Sequence, residues 1–118
     1  MKKFYPAFLN SWHGLAHAVR NEAAFRYEVC CFVVSVPLAA WLADTALHFA
    51  MLVGSVALLM IVELLNTGIE AVCDGLSGHY MKEIKIAKDC GSAAVLLSIL
   101  LAGLVWLAAI IERTGIFT

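Results

Sequence analysis

The sequence predicts an all-α membrane protein: three transmembrane helices preceded by an N-terminal amphipathic surface helix, in a single domain over residues 1–118. Three observations carry this. Hydrophobic residues make up 63% of the chain and the mean hydropathy is +0.89, too apolar for an ordinary soluble domain. Three apolar stretches, at about 23–43, 47–73 and 91–111, are each long enough to cross about 30 Å of hydrocarbon as a helix. The connection at 44–48 is tight, which makes the first two spans antiparallel neighbours.

The surface helix is expected over about 4–20. Pro6 is acceptable in a first turn, and Phe4, Phe8, Leu15 and Val19 are interspersed with Asn10, Ser11, His13 and His17, the pattern of a helix lying in the interface. Trp12 suits an interfacial anchor, and the two histidines read as its wet side rather than as metal ligands. With His13, His17 and Arg20 and only short apolar runs, the first twenty residues do not read as a cleavable signal peptide.

Glu22, Arg26 and Glu28 stand at the mouth of the first span, where Glu22 and Arg26 have the spacing of a helical ion pair. That span counts from about Ala23 and contains Pro37, a potential kink. The second span ends in an acidic run. A loop is expected at 75–83, with Lys82, Lys85, Lys88 and Asp89 around and after it. The third span, 91–111, is free of charge and opens on Gly91, Ser92, Ala93 and Ala94, small enough for another helix or a ligand to come close. Cys30, Cys31, Cys73 and Cys90 have neither CxxC nor metal-ligand spacing and read as free thiols.

Lysine and arginine gather before the first span and between the second and third. The positive-inside rule therefore puts the N-terminus in the cytoplasm and the C-terminus outside. A net charge of −1 offers no general attraction to nucleic acid.

The second span holds the chemistry. At about 100° per residue, Glu63, Asn66, Glu70 and Asp74 fall within an arc of about 80° on one helix face. Ionisable groups inside a membrane segment are costly and mark functional positions. Glu63 and Glu70 are about 10.5 Å apart along the axis, too far to share one ion comfortably, so they need separate tasks. Glu70 can share a site with Asn66 or Asp74, while a second carboxylate on the same ion comes from elsewhere in the chain or from another subunit. Three thin spans cannot enclose such a site alone, which favours subunit association without fixing its number.

Carboxylates with a neighbouring lysine at the cytosolic face suit phosphoryl transfer from a soluble nucleotide to a lipid. GxxxxGK[ST] and GxGxxG are both missing, so neither a P-loop nor a protein-kinase fold is expected. The rival from another class is a cation conductor using the same stripe. It needs polar groups through the outer halves of the spans, where there are almost none.

At these residues the chain resembles the prokaryotic integral-membrane diacylglycerol kinases over nearly its whole length. The resemblance rests on Ser-Trp-x-Gly-Leu at 11–15, Asn-Glu-Ala-Ala-Phe-Arg at 21–26, Glu-x-x-Asn-x-x-x-Glu-x-x-x-Asp at 63–74 and Ala-Lys-Asp-x-Gly-Ser-Ala-Ala-Val at 87–95. The undecaprenol kinases, a sister group and the alternative reading, share the third pattern and the start of the fourth; the 21–26 and 91–95 stretches look like the diacylglycerol branch.

The resemblance implies a bacterial inner-membrane homotrimer with active sites shared between subunits, taking ATP, Mg²⁺ and diacylglycerol to phosphatidic acid. It implies Glu63 as the base, Asn66 and Lys88 as partners in the chemistry, and Glu22 and Glu70 as the Mg²⁺ ligands that also meet ATP. Lys3, Asn10, His79, Tyr80, Met81, Lys88 and Asp89 would contact the nucleotide, Ser92 and Trp106 would join Glu63 in lining the lipid groove, and Glu28 and Asp74 would support the site. The chain departs from the family pattern at Lys3 and Asn10, where an arginine and a tyrosine are expected, and at His79, where an acidic residue is common. These changes bear on nucleotide contacts more than on the chemistry.

Overall fold

The structure, a computed structural model, describes residues 4–76 and 78–116. Lys3, expected at the nucleotide, lies outside them. Four helices form: α1 (Phe4–Asn21), α2 (Ala23–Leu42), α3 (Ala46–Leu76) and α4 (Lys82–Thr114). The last three are long and apolar enough to cross a membrane. The all-helical architecture expected from the hydropathy is therefore observed, with α1 the shortest element. α3 is the central strut: it packs along both α2 and α4, while α1 lies against the start of α2 and the acidic half of α3.

The α1–α2 corner turns on Glu22, whose backbone is extended (φ −115°, ψ 106°). Arg26 does not pair with Glu22 as its spacing suggested. Its Nη1 donates instead to Val19 O at 2.9 Å and Arg20 O at 3.1 Å. The last carbonyls of α1 have no helical partner, and a guanidinium with several N–H donors satisfies two at once while complementing the negative end of the helix dipole. Among the described residues, the ion pairs are Lys85–Asp89 and Lys88–Asp74.

The expected 75–83 loop is shorter than its composition suggested. α3 continues to Leu76 and α4 begins at Lys82, so Lys85, Lys88 and Asp89 ride on the first turns of α4. Nothing between Lys82 and Cys90 breaks a helix, and Glu83 in the first turn suits the positive dipole end. At 33 residues, α4 is about 50 Å long and overshoots the hydrocarbon thickness, leaving this charged segment room outside it.

The two ends of the bundle are packed differently. At the end away from the acidic stripe, Ala39, Leu42, Leu52 and Ala109 form a buried cluster, flanked by Phe49, Val105 and Trp106. Small residues let the helix backbones approach where lipid gives no hydrophobic drive. Arg113 closes this end, its guanidinium 4.4 Å from the Trp41 ring centroid and its Nη1 3.2 Å from Trp41 O. α4 then stops at Gly115, in the left-handed region (φ 76°), whose N–H reaches Ile111 O and Glu112 O. Buried serines within the spans satisfy themselves: Ser35, Ser55 and Ser98 each donate to the carbonyl three residues back at 2.7–2.8 Å.

Candidate active site

The polar stripe on α3 faces its neighbours at its deeper end. Glu63 and Asn66 are buried, at 8% and 9% exposure, whereas Glu70 and Asp74 open towards the helix end. One turn links the two halves: Asn66 Nδ2 donates to Glu70 Oε1 at 3.0 Å. From α2, the Glu28 carboxyl group interacts with Glu63 across the α2–α3 seam. Its Oε1 is buried without a donor. Glu22 and Glu70 also act on Glu63 electrostatically, Glu70 from two turns further along α3.

On its other side the stripe meets α4 at Gly91. A Cβ built on Gly91 would collide with Asn66 Oδ1, and would lie 3.3 Å from Asn66 Cγ and 3.7 Å from Ile69 Cδ1. The bare glycine lets the Asn66 amide lie flat against α4. Asn66 Oδ1 has no hydrogen-bond donor of its own.

Towards the helix ends a polar cleft of about 560 Å³ opens between α3 and α4, bordered by Asp74, His79, Tyr80, Lys85, Lys88 and Asp89. Met81 also lines it. Lys88 Nζ sits 2.9 Å from Asp74 Oδ1, and Lys85 Nζ 2.8 Å from Asp89 Oδ2. Both pairs are solvent-exposed and add little to stability, so an incoming anion can displace them.

Other expected residues stand apart. Asn10 is exposed on α1 and does not border this cleft. Ser92 is exposed near the start of the third span, and Trp106 lies fourteen residues further along the same helix, about 21 Å away. The Trp106 indole donates to Leu52 O at 3.0 Å and Ser55 Oγ at 3.2 Å, which gives it a clear packing role. It also borders an apolar cavity of about 490 Å³ shared with Cys30, Cys31, Ser35, Val56 and Gly103. In the sequence Gly91 is distinguished only as one of a run of small residues, and no local pattern pairs Glu28 with Glu63.

Comparison with known proteins gives the family. The family model described as prokaryotic diacylglycerol kinase matches residues 9–110. The chain belongs to the prokaryotic diacylglycerol kinase family. Similar members include the diacylglycerol kinase of Escherichia coli (strain K12), 47% identical over 96 residues that cover 81% of this chain and 79% of the relative. That of Haemophilus influenzae is 36% identical over 96 residues, 81% of each chain. A third, from Pseudomonas aeruginosa, is 37% identical over 106 residues, 90% of this chain and 86% of the relative. This diacylglycerol kinase family member is therefore a multi-pass membrane protein whose family uses ATP.

The carboxylates of this family member suit Mg²⁺ by their chemistry. Among the described residues, no three His, Cys, Asp or Glu side chains converge as a protein-only cage. Mg²⁺ does not need one: it is ordinarily held by one or two carboxylates together with substrate phosphates and water. Glu70 has one oxygen fixed by Asn66 and the other available, and Glu22 enters no ion pair among the described residues.

Proposed function

We propose that this chain transfers the γ-phosphoryl group of ATP to the free hydroxyl of diacylglycerol, giving phosphatidic acid and ADP. Diacylglycerol kinase activity comes with the family. The proposal adds the placement of the reaction at the cytoplasmic face of a bacterial inner membrane, in a homotrimer whose sites are shared between subunits, and the residues that perform it. The observation that carries it is the division of labour along α3. Glu63 is buried beside Glu28, while Glu70 is held one turn after Asn66 and opens towards the polar cleft end.

In this reading the lipid hydroxyl meets Glu63. Its oxygen forms a bond to the γ-phosphorus as the bond from that phosphorus to the ADP oxygen breaks, and its proton passes to Glu63, with Glu28 beside it to share the proton. Glu22 and Glu70 would hold Mg²⁺, which when bound would supply positive charge to neutralise and align the phosphates. Lys88 leaves Asp74 to meet phosphate charge, and Asp89, His79, Tyr80 and Met81 border the space that receives the rest of the nucleotide. Ser92 stands where the lipid head enters. The cavity at Trp106, deeper along α4, accommodates acyl-chain ends.

The test is transfer of labelled γ-phosphate from Mg-ATP to dioleoylglycerol and to undecaprenol, side by side in mixed micelles, with Glu70→Gln as control. Product from diacylglycerol alone, lost in the variant, supports the proposal. Product from undecaprenol alone moves the chain to the sister specificity, and product from neither removes the kinase reading.

A further inference from the structure

We propose that Gly91 is a positioning residue for the metal-binding carboxylate Glu70, acting through Asn66; the inference rests on the reading of Glu70 as a Mg²⁺ ligand. Three observations meet at this point. Gly91 is buried in the α3–α4 seam, and the space its missing Cβ leaves is filled by Asn66 Oδ1. Asn66 is itself buried and its Oδ1 has no hydrogen-bond donor of its own, so what holds that end of the amide is packing against α4. With the oxygen lodged against Gly91, the amide nitrogen points along α3 to Glu70 Oε1, 3.0 Å away.

The chain of cause is short. Asn66 and Glu70 are four residues apart and would be neighbours on any helix, but neighbours four apart need not be oriented. An exposed glutamate has several rotamers open to it, and a hydrogen bond to one oxygen selects among them. Asn66 provides that bond only while its amide keeps this orientation, and α4 sets the orientation because residue 91 lacks a side chain. A methyl group at 91 would have to push the Asn66 amide aside or force the two helices apart. Either movement takes the amide nitrogen from Glu70. Partners that orient a metal ligand typically change metal affinity by about 10- to 100-fold when lost.

The proposal predicts a particular coupling. Alanine favours a helix over glycine, so Gly91→Ala should stabilise α4 wherever nothing occupies the space its methyl needs. With Asn66 present it should instead lower the unfolding temperature. In an Asn66→Ala background, where the amide is gone, the same change should leave the unfolding temperature equal or higher.

The experiment measures thermal unfolding in detergent micelles for the unaltered protein, Gly91→Ala, Asn66→Ala and the double variant. It adds the Mg²⁺ requirement and the diacylglycerol KM of Gly91→Ala, with Glu70→Gln alongside. The expected result is a reversal or disappearance of the Gly91→Ala effect on unfolding in the Asn66→Ala background. It should come with an increase of about 10- to 100-fold in the Mg²⁺ needed for half-maximal turnover, and a diacylglycerol KM within about twofold of the original. A Gly91→Ala protein that fails to fold while the double variant folds also supports the contact.

Additive effects on unfolding, or a double variant that fails as badly as Gly91→Ala, would overturn it. So would an unchanged Mg²⁺ requirement in Gly91→Ala when Glu70→Gln weakens or abolishes Mg²⁺-dependent turnover. If Glu70→Gln itself leaves that requirement intact, the metal reading beneath the proposal is the part that has failed.

Discussion

Lys88 Nζ rests 2.9 Å from Asp74 Oδ1, joining the first turns of α4 to the last turns of α3 across the polar cleft. The pair is exposed and adds little to stability, so the lysine is free to exchange one anion for another. Lys88→Met should lower kcat by about 100-fold or more, the scale of losing a charge that stabilises a transferring group. Its unfolding temperature should stay close to the original. Asp74→Asn should lower kcat far less, because it removes the resting partner and keeps the cation. Steady-state phosphorylation assays and thermal melts on the two variants separate these outcomes.

Glu63→Gln keeps the shape of the side chain and removes its ability to accept a proton. Turnover should fall by about 100- to 10,000-fold. Because Glu63 is buried beside another carboxyl group, the amide should leave the fold intact, checked by circular dichroism and by elution from a sizing column. Near-normal turnover in this variant would remove Glu63 from the chemistry.

Chelating divalent cations with EDTA should abolish phosphorylation, and added Mg²⁺ should restore it. Glu22→Gln and Glu70→Gln should each raise the Mg²⁺ requirement. Their double variant should lose less than the product of the single losses, because two ligands of one ion act as a unit. Fully multiplicative losses in a Mg²⁺ titration would place the two carboxylates on independent tasks.

Trp106→Phe retains an aromatic ring and deletes the donor that reaches Leu52 O and Ser55 Oγ. A lowered unfolding temperature, corresponding to about 1 kcal/mol for loss of this one shared donor, is expected with kcat unchanged. A large fall in kcat with normal melting would show that the indole N–H acts in turnover rather than only in packing the wall of the cavity.

The membrane spans and the stripe from Glu63 to Asp74 were legible in the sequence because both are periodic and local. Hydropathy over twenty residues reports a span, and steps of three and four report one helix face. Contacts between helices follow a different rule. Glu28 faces Glu63, and Gly91 faces Asn66, because of how α2 and α4 are rotated against α3, and no single-helix pattern encodes that rotation. Arg26 shows the same limit at shorter range: its spacing from Glu22 suggested a pair, but the open carbonyls of Val19 and Arg20 at the end of α1 offered two acceptors in place of one.

The Arg113–Trp41 contact and the buried cluster of Ala39, Leu42, Leu52 and Ala109 beside it tie the bundle together at one end, while at the other α3 and α4 meet through one exposed ion pair, the Cys73 thiol against Ile84 O and the close approach of Asn66 to Gly91. The apolar cluster thus holds the helices together at a distance from Asp74, Lys85, Lys88 and Asp89, whose side chains stay exposed at the helix tips and can exchange partners without any change in that packing.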